Sequence, residues 1–372
     1  MIIDLHDTAL ARLLHGIDTV IHRVMLYVAE LALLIMAYVN VISSMMFGHL
    51  SGSAVADVSS LGSIVIPMMK KQGYTDDFSV GLTVTTACQG VLIPPSHNMV
   101  LYALAADAGG LIPALLYGGL VPGVLLGINF CILVFVMAKM YNFPKCDTIP
   151  KEKIRRIVID AILPLMIFVI IMGGIGLGLC TATEAASIAC VYTFIIVFFV
   201  LRTAKLTALP SILKNSLKTL GIVLTLIASA KAFSFMMTYL YIPQLLIGAL
   251  GSLASNRIVL LLVINVMLLL LGCFMDMAPL ILIMTPILLP VVQSVGMSTV
   301  HFGVMMIFNL ACGLCTPPVG TALFVGCAVG KTPIERTSRH MLPLYAVMII
   351  TLLMVTFIPF LSTGLPTFLG MM

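Results

Sequence analysis

Two stretches of this sequence interrupt long apolar segments in the same order. In each stretch, a glycine-containing break leads to an aspartate, a proline follows ten residues later, and a Pro-Pro pair comes further on. These residues are Asp57, Pro67 and Pro94-Pro95 in the first stretch, and Asp276, Pro286 and Pro317-Pro318 in the second. Matching interruptions in two halves of a chain indicate helices that break inside a membrane, where secondary transporters build their binding sites.

The composition supports a membrane environment for both stretches. Hydrophobic residues make up 61% of the 372 positions and charged residues only 9%, whereas a soluble domain carries about 25% charged residues. The long apolar segments therefore predict an all-α polytopic membrane protein in contact with the lipid bilayer. The nine cysteines lie mostly in apolar runs, and their spacing indicates neither a disulfide framework nor a zinc site.

The positions of lysine and arginine predict the topology, because cytoplasmic loops are enriched in these residues. We interpret residues 24–69 as a re-entrant hairpin, with arms at 24–48 and 54–69 and a tip at 49–53. The later predicted elements are spans at 78–105 (interrupted), 111–138, 157–179, 184–201 and 219–241, hairpin arms at 258–271 and 277–295 around a tip at 272–276, an interrupted span at 300–329, and a final helix at 341–362. All lysines and arginines except Arg257 and Lys231 then lie on the cytoplasmic side, so the net charge of +5 needs no nucleic-acid partner.

This topology predicts an inverted repeat, because the two hairpins enter the membrane from opposite faces. The N-terminus is then cytoplasmic and the C-terminus lies outside. The predicted segments are a cytoplasmic N-terminal segment (1–23), the first hairpin and broken helix (24–105), connecting and scaffold helices (106–257), the second hairpin and broken helix (258–330), and a C-terminal helix (331–372).

The breaks expose backbone groups that can bind ions. Helices that begin after the Pro-Pro pairs present N–H groups, which favour an anionic group of a substrate. Helices that end near Gly90 and Gly313 expose carbonyl oxygens, which suit a small hard cation. Neutral side-chain oxygens beside the breaks are candidates for substrate binding, although turn formation and helix capping explain each of them equally well: Ser51, Ser53, Ser96, Asn98, Thr316 and Thr321.

Two aspartates occupy matching places close to the predicted tips. Asp57 and Asp276 can cap helix N-termini, or they can couple transport to an ion, since burying a carboxylate near mid-membrane costs roughly 2.5–3.5 kcal/mol. The candidate cation-binding residues are Ser51, Gly52, Asp57 and Gly90 at the first tip, and Gly272, Asp276, Gly313 and Thr316 at the second.

Three further ionisable residues have competing interpretations. We expect Glu184 to cap a helix at the outer face. The intramembrane Lys231 can extend to the interface or pair with a carboxylate. His97 can carry a proton, but a hydrogen-bonded interior histidine is the simpler interpretation.

The chain resembles the large membrane subunit of tripartite ATP-independent periplasmic (TRAP) transporters over roughly residues 45–330. The matching runs are SGSAVADVSSLGSIVIPMMKKQGY, LIPPSHNMVLYA, TATEAA, GCFMDMAPLILIMTPILLP and HFGVMMIFNLACGLCTPPVGTALFV. The segment before the SGS run is shorter than is usual in that family, and residues 1–42 look a little like the first helix of the family's small subunit. We therefore expect a shortened or rearranged N-terminus.

The resemblance implies a function and partners. It implies a sodium-driven importer of an organic acid (a dicarboxylate, a sugar acid or a sialic-acid-like compound) in the bacterial inner membrane, with a periplasmic C-terminus. It also implies that a periplasmic binding protein delivers the substrate, that a small membrane subunit packs on the scaffold helices, and that the hairpins and broken helices move as an elevator. Sodium is then the coupling ion, and no other cofactor is expected.

The residues leave other interpretations open. A stand-alone inverted-repeat carrier of carboxylates or other anions would share the paired breaks. In a channel, re-entrant loops would line an open pore, but paired inverted breaks favour alternating access. An intramembrane aspartyl protease would use Asp57 and Asp276, yet neither lies in a G-x-G-D sequence, so we do not expect an enzyme.

Overall fold

A computed structural model describes residues 35–141, 166–167, 169–200, 206–241, 245 and 256–372. Regular secondary structure in these residues is entirely helical, which confirms the predicted all-α class. The predicted N-terminal segment (1–23) lies entirely outside the described residues. The first predicted hairpin arm (24–48) is described only from residue 35, and the span predicted at 157–179 only at 166–167 and 169–179. The run that looks a little like a small subunit (1–42) is described only at 35–42.

The described part of the first repeat, residues 35–105, contains four α-helices. They are α1 (Ile35–Ser51), α2 (Ala54–Lys71), α3 (Asp76–Gly90) and α4 (His97–Ala105). The tip predicted at 49–53 was too long, because α1 continues through Ser51 and only two residues separate the arms. Gly52 makes the reversal with a positive φ of 62°, which glycine adopts without steric cost. Ser53 then starts α2 as its N-cap and accepts a hydrogen bond from the Ala56 N–H.

Three long helices are described between the repeats. They are α5 (Ile112–Tyr141), α6 (Ala182–Ile195) and α7 (Leu209–Tyr239). Thr181 and Glu184 form a capping box at the start of α6, which confirms the predicted capping role of Glu184. The helix that contains the span predicted at 219–241, α7, begins ten residues before the predicted start and includes Lys214 and Lys218. Lysine has a good helix propensity, so charge does not mark the end of a helix.

The second repeat follows the same order as the first. Its helices are α8 (Arg257–Phe274), α9 (Met277–Ser294), α10 (Thr299–Cys315) and α11 (Thr321–Gly330). The C-terminal part contains α12 (Ile334–His340), α13 (Leu342–Phe357) and α14 (Phe360–Phe368). The single final helix predicted at 341–362 was wrong, because the residue before Pro359 is disfavoured in a helical conformation and α13 ends there.

Helix length and composition agree with a multi-pass membrane protein. Five of the described helices are long and apolar enough to cross a membrane. The count rises to six if α12 and α13, which meet at an angle of 59°, form one span.

The two repeats interlock. Within each repeat, the first hairpin arm packs against the first half of the broken helix, as α1 does on α3 and α8 on α10. The second arm packs across the repeats, as α2 does on α11 and α9 on α4. The helices α3 and α10 also contact each other, and nearly all of their residues are buried. The first halves of the broken helices therefore form the centre of the core.

An ion pair fastens α3 of the first repeat to α12 beyond the second. The buried Asp77 carboxylate accepts a bond from Arg336 Nε at 2.8 Å and another from the Thr337 hydroxyl at 3.1 Å. Arg336 and Thr337 lie in α12, which begins shortly after the second repeat ends. This contact holds one end of the bundle together.

We expect Arg336→Ala to lower the thermal stability of the protein. The substitution removes the charged partner of a buried carboxylate, which costs about 1–3 kcal/mol. The measurement is the melting midpoint of the purified protein in detergent. Arg339→Ala is the matched control, because Arg339 is exposed on the same helix. Equal midpoints for the two variants would contradict the assigned role of the pair.

Candidate functional site

A pair of glycines brings each hairpin against its broken helix. A Cβ atom added to Gly90 would lie 2.6 Å from the Gly48 Cα, and one added to Gly313 would lie 2.7 Å from the Gly272 Cα. Real Cβ atoms do not approach other atoms so closely. Backbone therefore meets backbone at two equivalent crossings, one in each repeat, close to the ends of the first half-helices.

Hydrogen bonds also join each tip to its break. In the first repeat, the Asn98 side-chain amide donates to the Gly52 carbonyl at 3.0 Å. In the second repeat, the Gly320 N–H donates to the Cys273 carbonyl at 3.0 Å. Each hairpin tip thus contacts its own break, although the two are far apart in the sequence.

The two aspartates do not occupy equivalent places. Asp57 lies in the first turn of α2, is 1% exposed, and directs its carboxylate toward the crossing of Gly48 and Gly90. Asp276 is the N-cap residue of α9 and is exposed. The predicted match between them was wrong in this respect, because the second hairpin turns at its aspartate whereas the first turns before it.

Five of the six predicted substrate-binding residues divide into two groups. Ser53 caps α2, Thr316 donates to the Cys312 carbonyl, and Asn98 binds the hairpin tip, so these three have structural partners. By contrast, the buried hydroxyl oxygens of Ser96 and Thr321 have no hydrogen-bond partner among the described residues. Both lie at the N-terminal ends of the second half-helices, α4 and α11. Ser51 is the last residue of α1.

Buried polar residues that the sequence interpretation did not assign link each first hairpin arm to its broken helix. Asn40 donates to the Thr83 hydroxyl at 2.8 Å, which links α1 to α3. Asn309 donates to the backbone and side-chain oxygens of Asn265 at 2.9 and 2.8 Å, which links α10 to α8. Their only signal in the sequence was the presence of single amides within apolar segments.

The His97 side chain is exposed and lies against the first hairpin tip. His97 is the first residue of α4, and its Nδ1 atom lies beside Gly52. The expectation of an interior histidine was therefore wrong.

Lys231 has a carboxylate partner. Its Nζ atom lies 2.8 Å from Asp107 Oδ1, which joins α7 to the turn that follows α4. The Lys231 ammonium lowers the pKa of Asp107 below its usual value through this hydrogen bond and its charge. Of the two interpretations of Lys231, pairing with a carboxylate is confirmed.

Comparisons with known proteins agree with this architecture. Residues 35–361 match the family model described as "Tripartite ATP-independent periplasmic transporter, DctM component". The C4-dicarboxylate TRAP transporter large permease protein DctM of Pseudomonas aeruginosa is 36% identical over 336 residues, which cover 90% of this chain and 78% of that protein. The sialic acid TRAP transporter large permease protein SiaM of Vibrio cholerae is 36% identical over 339 residues, with the same coverage. The isethionate TRAP transporter permease protein DctMQ of Oleidesulfovibrio alaskensis is 38% identical over 326 residues, which cover 87% of this chain and 51% of that protein.

Proposed function

Because the chain belongs to the DctM family of TRAP transporters, whose members are large permease subunits and not enzymes, we propose that it imports an organic acid together with sodium. The observation that supports sodium coupling is the pair of crossings between a hairpin tip and a broken helix. A stand-alone carboxylate carrier remains the alternative. An ion channel is less compatible with two inverted, closely packed breaks.

The proposed sodium sites lie at the two crossings. The first comprises Ser51, Gly52, Asp57 and Gly90, and the second comprises Gly272, Asp276, Gly313 and Thr316. A hard cation prefers oxygen ligands. At the crossings, the Gly90 and Gly313 carbonyl oxygens each accept one N–H bond, from Ile93 and Thr316, and each retains a second lone pair for a cation. The buried Asp57 carboxylate beside the first crossing adds a negative charge.

The proposed substrate site lies between the N-terminal ends of α4 and α11. Unpaired N–H groups and the helix dipole favour an anion at such an end. The unpartnered hydroxyls of Ser96 and Thr321 add neutral donors, with Ser51, Ser53, Asn98 and Thr316 nearby in sequence. The names of the relatives include a dicarboxylate, sialic acid and isethionate, all of which are organic anions. A dicarboxylate, a sugar acid or a sialic-acid-like compound would suit this site.

The transporter would work with partners in the bacterial inner membrane. We place the N-terminus in the cytoplasm and the C-terminus in the periplasm, from the distribution of Lys and Arg. A periplasmic binding protein would deliver the substrate, and a small membrane subunit would cover α6 and α7. Both helices carry large exposed apolar side chains, including Val191, Ile195, Leu213 and Leu217. The re-entrant hairpins and broken helices would then move as an elevator against these scaffold helices.

Reconstitution tests the proposed function. Proteoliposomes that contain this chain, its small subunit and its binding protein should show saturable uptake of an organic acid under an inward sodium gradient. The chain alone should show no uptake. Uptake by the chain alone would support the stand-alone carrier, and a steady conductance would support a channel.

We expect Asp57→Asn to raise the sodium concentration that gives half-maximal uptake by about tenfold, equal to about 1.4 kcal/mol of ion binding. Asn retains the size and one oxygen of Asp but removes its charge. Ser53→Ala and Thr316→Val remove hydroxyl oxygens with little change of volume and should have smaller effects in the same direction. The measurement is sodium-dependent uptake by the full complex. If all three variants keep the parent's sodium dependence, the ions bind elsewhere.

A further inference from the structure

A pair of thiols joins the two repeats at the centre of the core. Cys88 lies in α3 and Cys315 is the last residue of α10. Their Sγ atoms are 2.7 Å apart, although 227 positions separate the two residues in the sequence. Both side chains are buried, and both are free thiols. This pair could not be recognised from cysteine spacing, because only the packing of α3 on α10 brings its members together.

Two further contacts fix the position of Cys315. Its Sγ atom donates to the Val84 carbonyl of α3 at 3.3 Å, and its own carbonyl accepts a hydrogen bond from the Tyr345 hydroxyl of α13 at 2.7 Å. The Cys315 thiol is therefore held against α3. An S–S bond is about 2.0 Å long, so the two sulfur atoms, which are 2.7 Å apart, need to approach by only about 0.7 Å to form one.

The two cysteines are close in sequence to the two crossings. Cys88 comes two residues before Gly90, and Cys315 comes two residues after Gly313. Backbone meets backbone at both crossings, so a shift of either helix end displaces the carbonyl oxygens there. A cation site is sensitive to such a shift, because its oxygen ligands lie within a narrow range of distances from the ion.

We propose that Cys88 and Cys315 form a reversible disulfide, and that this bond lowers the affinity of the transporter for sodium. The effect on sodium rests on the proposed function, whereas formation of the bond does not. The oxidant is a hydroperoxide, and it must be small and uncharged, since both sulfur atoms are buried. Hydrogen peroxide meets both conditions.

The reaction proceeds in two steps. The sulfur of one thiol attacks a peroxide oxygen, so that an S–O bond forms, the O–O bond breaks, and the leaving hydroxide takes the thiol proton to become water. The sulfur of the second thiol then attacks the sulfenic acid, which forms the S–S bond, breaks the S–O bond and releases a second water. The two sulfur atoms lose two electrons in total, and the peroxide gains them. A dithiol reverses the oxidation by thiol–disulfide exchange.

Peptide mapping by mass spectrometry tests the bond. The purified chain is treated with hydrogen peroxide, the remaining thiols are alkylated under denaturing conditions, and the protein is digested without reduction. We expect linked peptides that contain Cys88 and Cys315 and that separate after reduction with dithiothreitol. The link should be absent from Cys88→Ala and Cys315→Ala, but present in Cys327→Ala, which removes another buried thiol. Absence of this link in the parent chain, or a predominant link between Cys312 and Cys315, would overturn the proposal.

The effect on sodium is measured on the same purified chain, without transport, from the rise of its melting midpoint with sodium concentration. Peroxide should raise the sodium concentration that gives half of the maximal rise by about tenfold, the lower end of what metal sites lose when the groups that hold their ligands are changed. Reduction should restore the original value. Cys88→Ala and Cys315→Ala should not respond to peroxide, whereas Cys327→Ala should respond as the parent does.

The outcomes separate this proposal from the proposed function. If the disulfide forms and the sodium dependence of the melting midpoint stays the same, the proposed link between oxidation and ion binding is wrong. If the reduced, untreated chain shows no rise of its melting midpoint with sodium, the proposed sodium sites fail, and the effect of the disulfide on sodium fails with them. The peptide map then still decides whether Cys88 and Cys315 form the bond.

Discussion

Gly313→Ala is expected to abolish sodium-driven uptake, and Gly90→Ala should have the same effect. The new methyl group at residue 313 would lie 2.7 Å from both the Cα and the carbonyl carbon of Gly272. Because the neighbouring atoms are backbone, they cannot move aside as a flexible side chain would. Overpacking of this kind costs about 1–3 kcal/mol, and here the strain would separate the hairpin from the broken helix at a proposed sodium site.

Gly221→Ala is the matched control for these substitutions. Gly221 lies within α7, and a Cβ atom there would meet no other group within 4 Å. Alanine favours a helix over glycine by about 1 kcal/mol, so this variant should keep or slightly gain stability and should retain uptake. Uptake and melting midpoint with and without sodium are the measurements. Parent-like sodium stabilisation in Gly313→Ala would show that close contact at the crossing is not needed for ion binding.

The order of helices and breaks could be predicted because glycine and proline act locally. Gly52 allows the reversal between α1 and α2 through a conformational preference that does not depend on distant residues. The break at Pro359 has an equally local cause but was not predicted. The error at the first tip had a local cause as well. Nothing in residues 49–51 stops a helix, and the Gly52 N–H still bonds to the Gly48 carbonyl at 2.8 Å.

The arrangement of the candidate site could not be predicted, because it depends on tertiary contacts between residues that are far apart in the sequence. The packing of α9 on α4 joins the second hairpin to the first broken helix, although the two are far apart in the chain. Asp57 and Asp276 follow the same spacing pattern in the sequence but have different environments. Asp57 lies inside the first turn of α2, whereas Asp276 lies just before the first turn of α9. Residues that meet through the fold, such as Asn265 and Asn309, were visible only as isolated polar positions.

A tether between residues 107 and 231 is expected to stop transport almost completely. Asp107 lies in the turn after α4, and its partner Lys231 lies on α7, which also packs against α9. If α7 belongs to a fixed scaffold while the hairpins and broken helices slide past it, this ion pair joins a moving part to a stationary one. The pair would form in one state and break in the other, and a covalent link would prevent the change.

The tether is made by Asp107→Cys with Lys231→Cys and a bis-methanethiosulfonate reagent whose reach matches the combined length of the two original side chains. Uptake by the full complex should fall by about tenfold or more on cross-linking and return after reduction. Asp107→Cys with Gly110→Cys is the control, because both residues lie in the turn region between α4 and α5 and a link between them leaves α7 free. The unsubstituted chain treated with the same reagent reports reaction at native cysteines. If the link from 107 to 231 forms fully and uptake persists, α7 moves together with the broken helices, and the sliding surface lies elsewhere in the transporter.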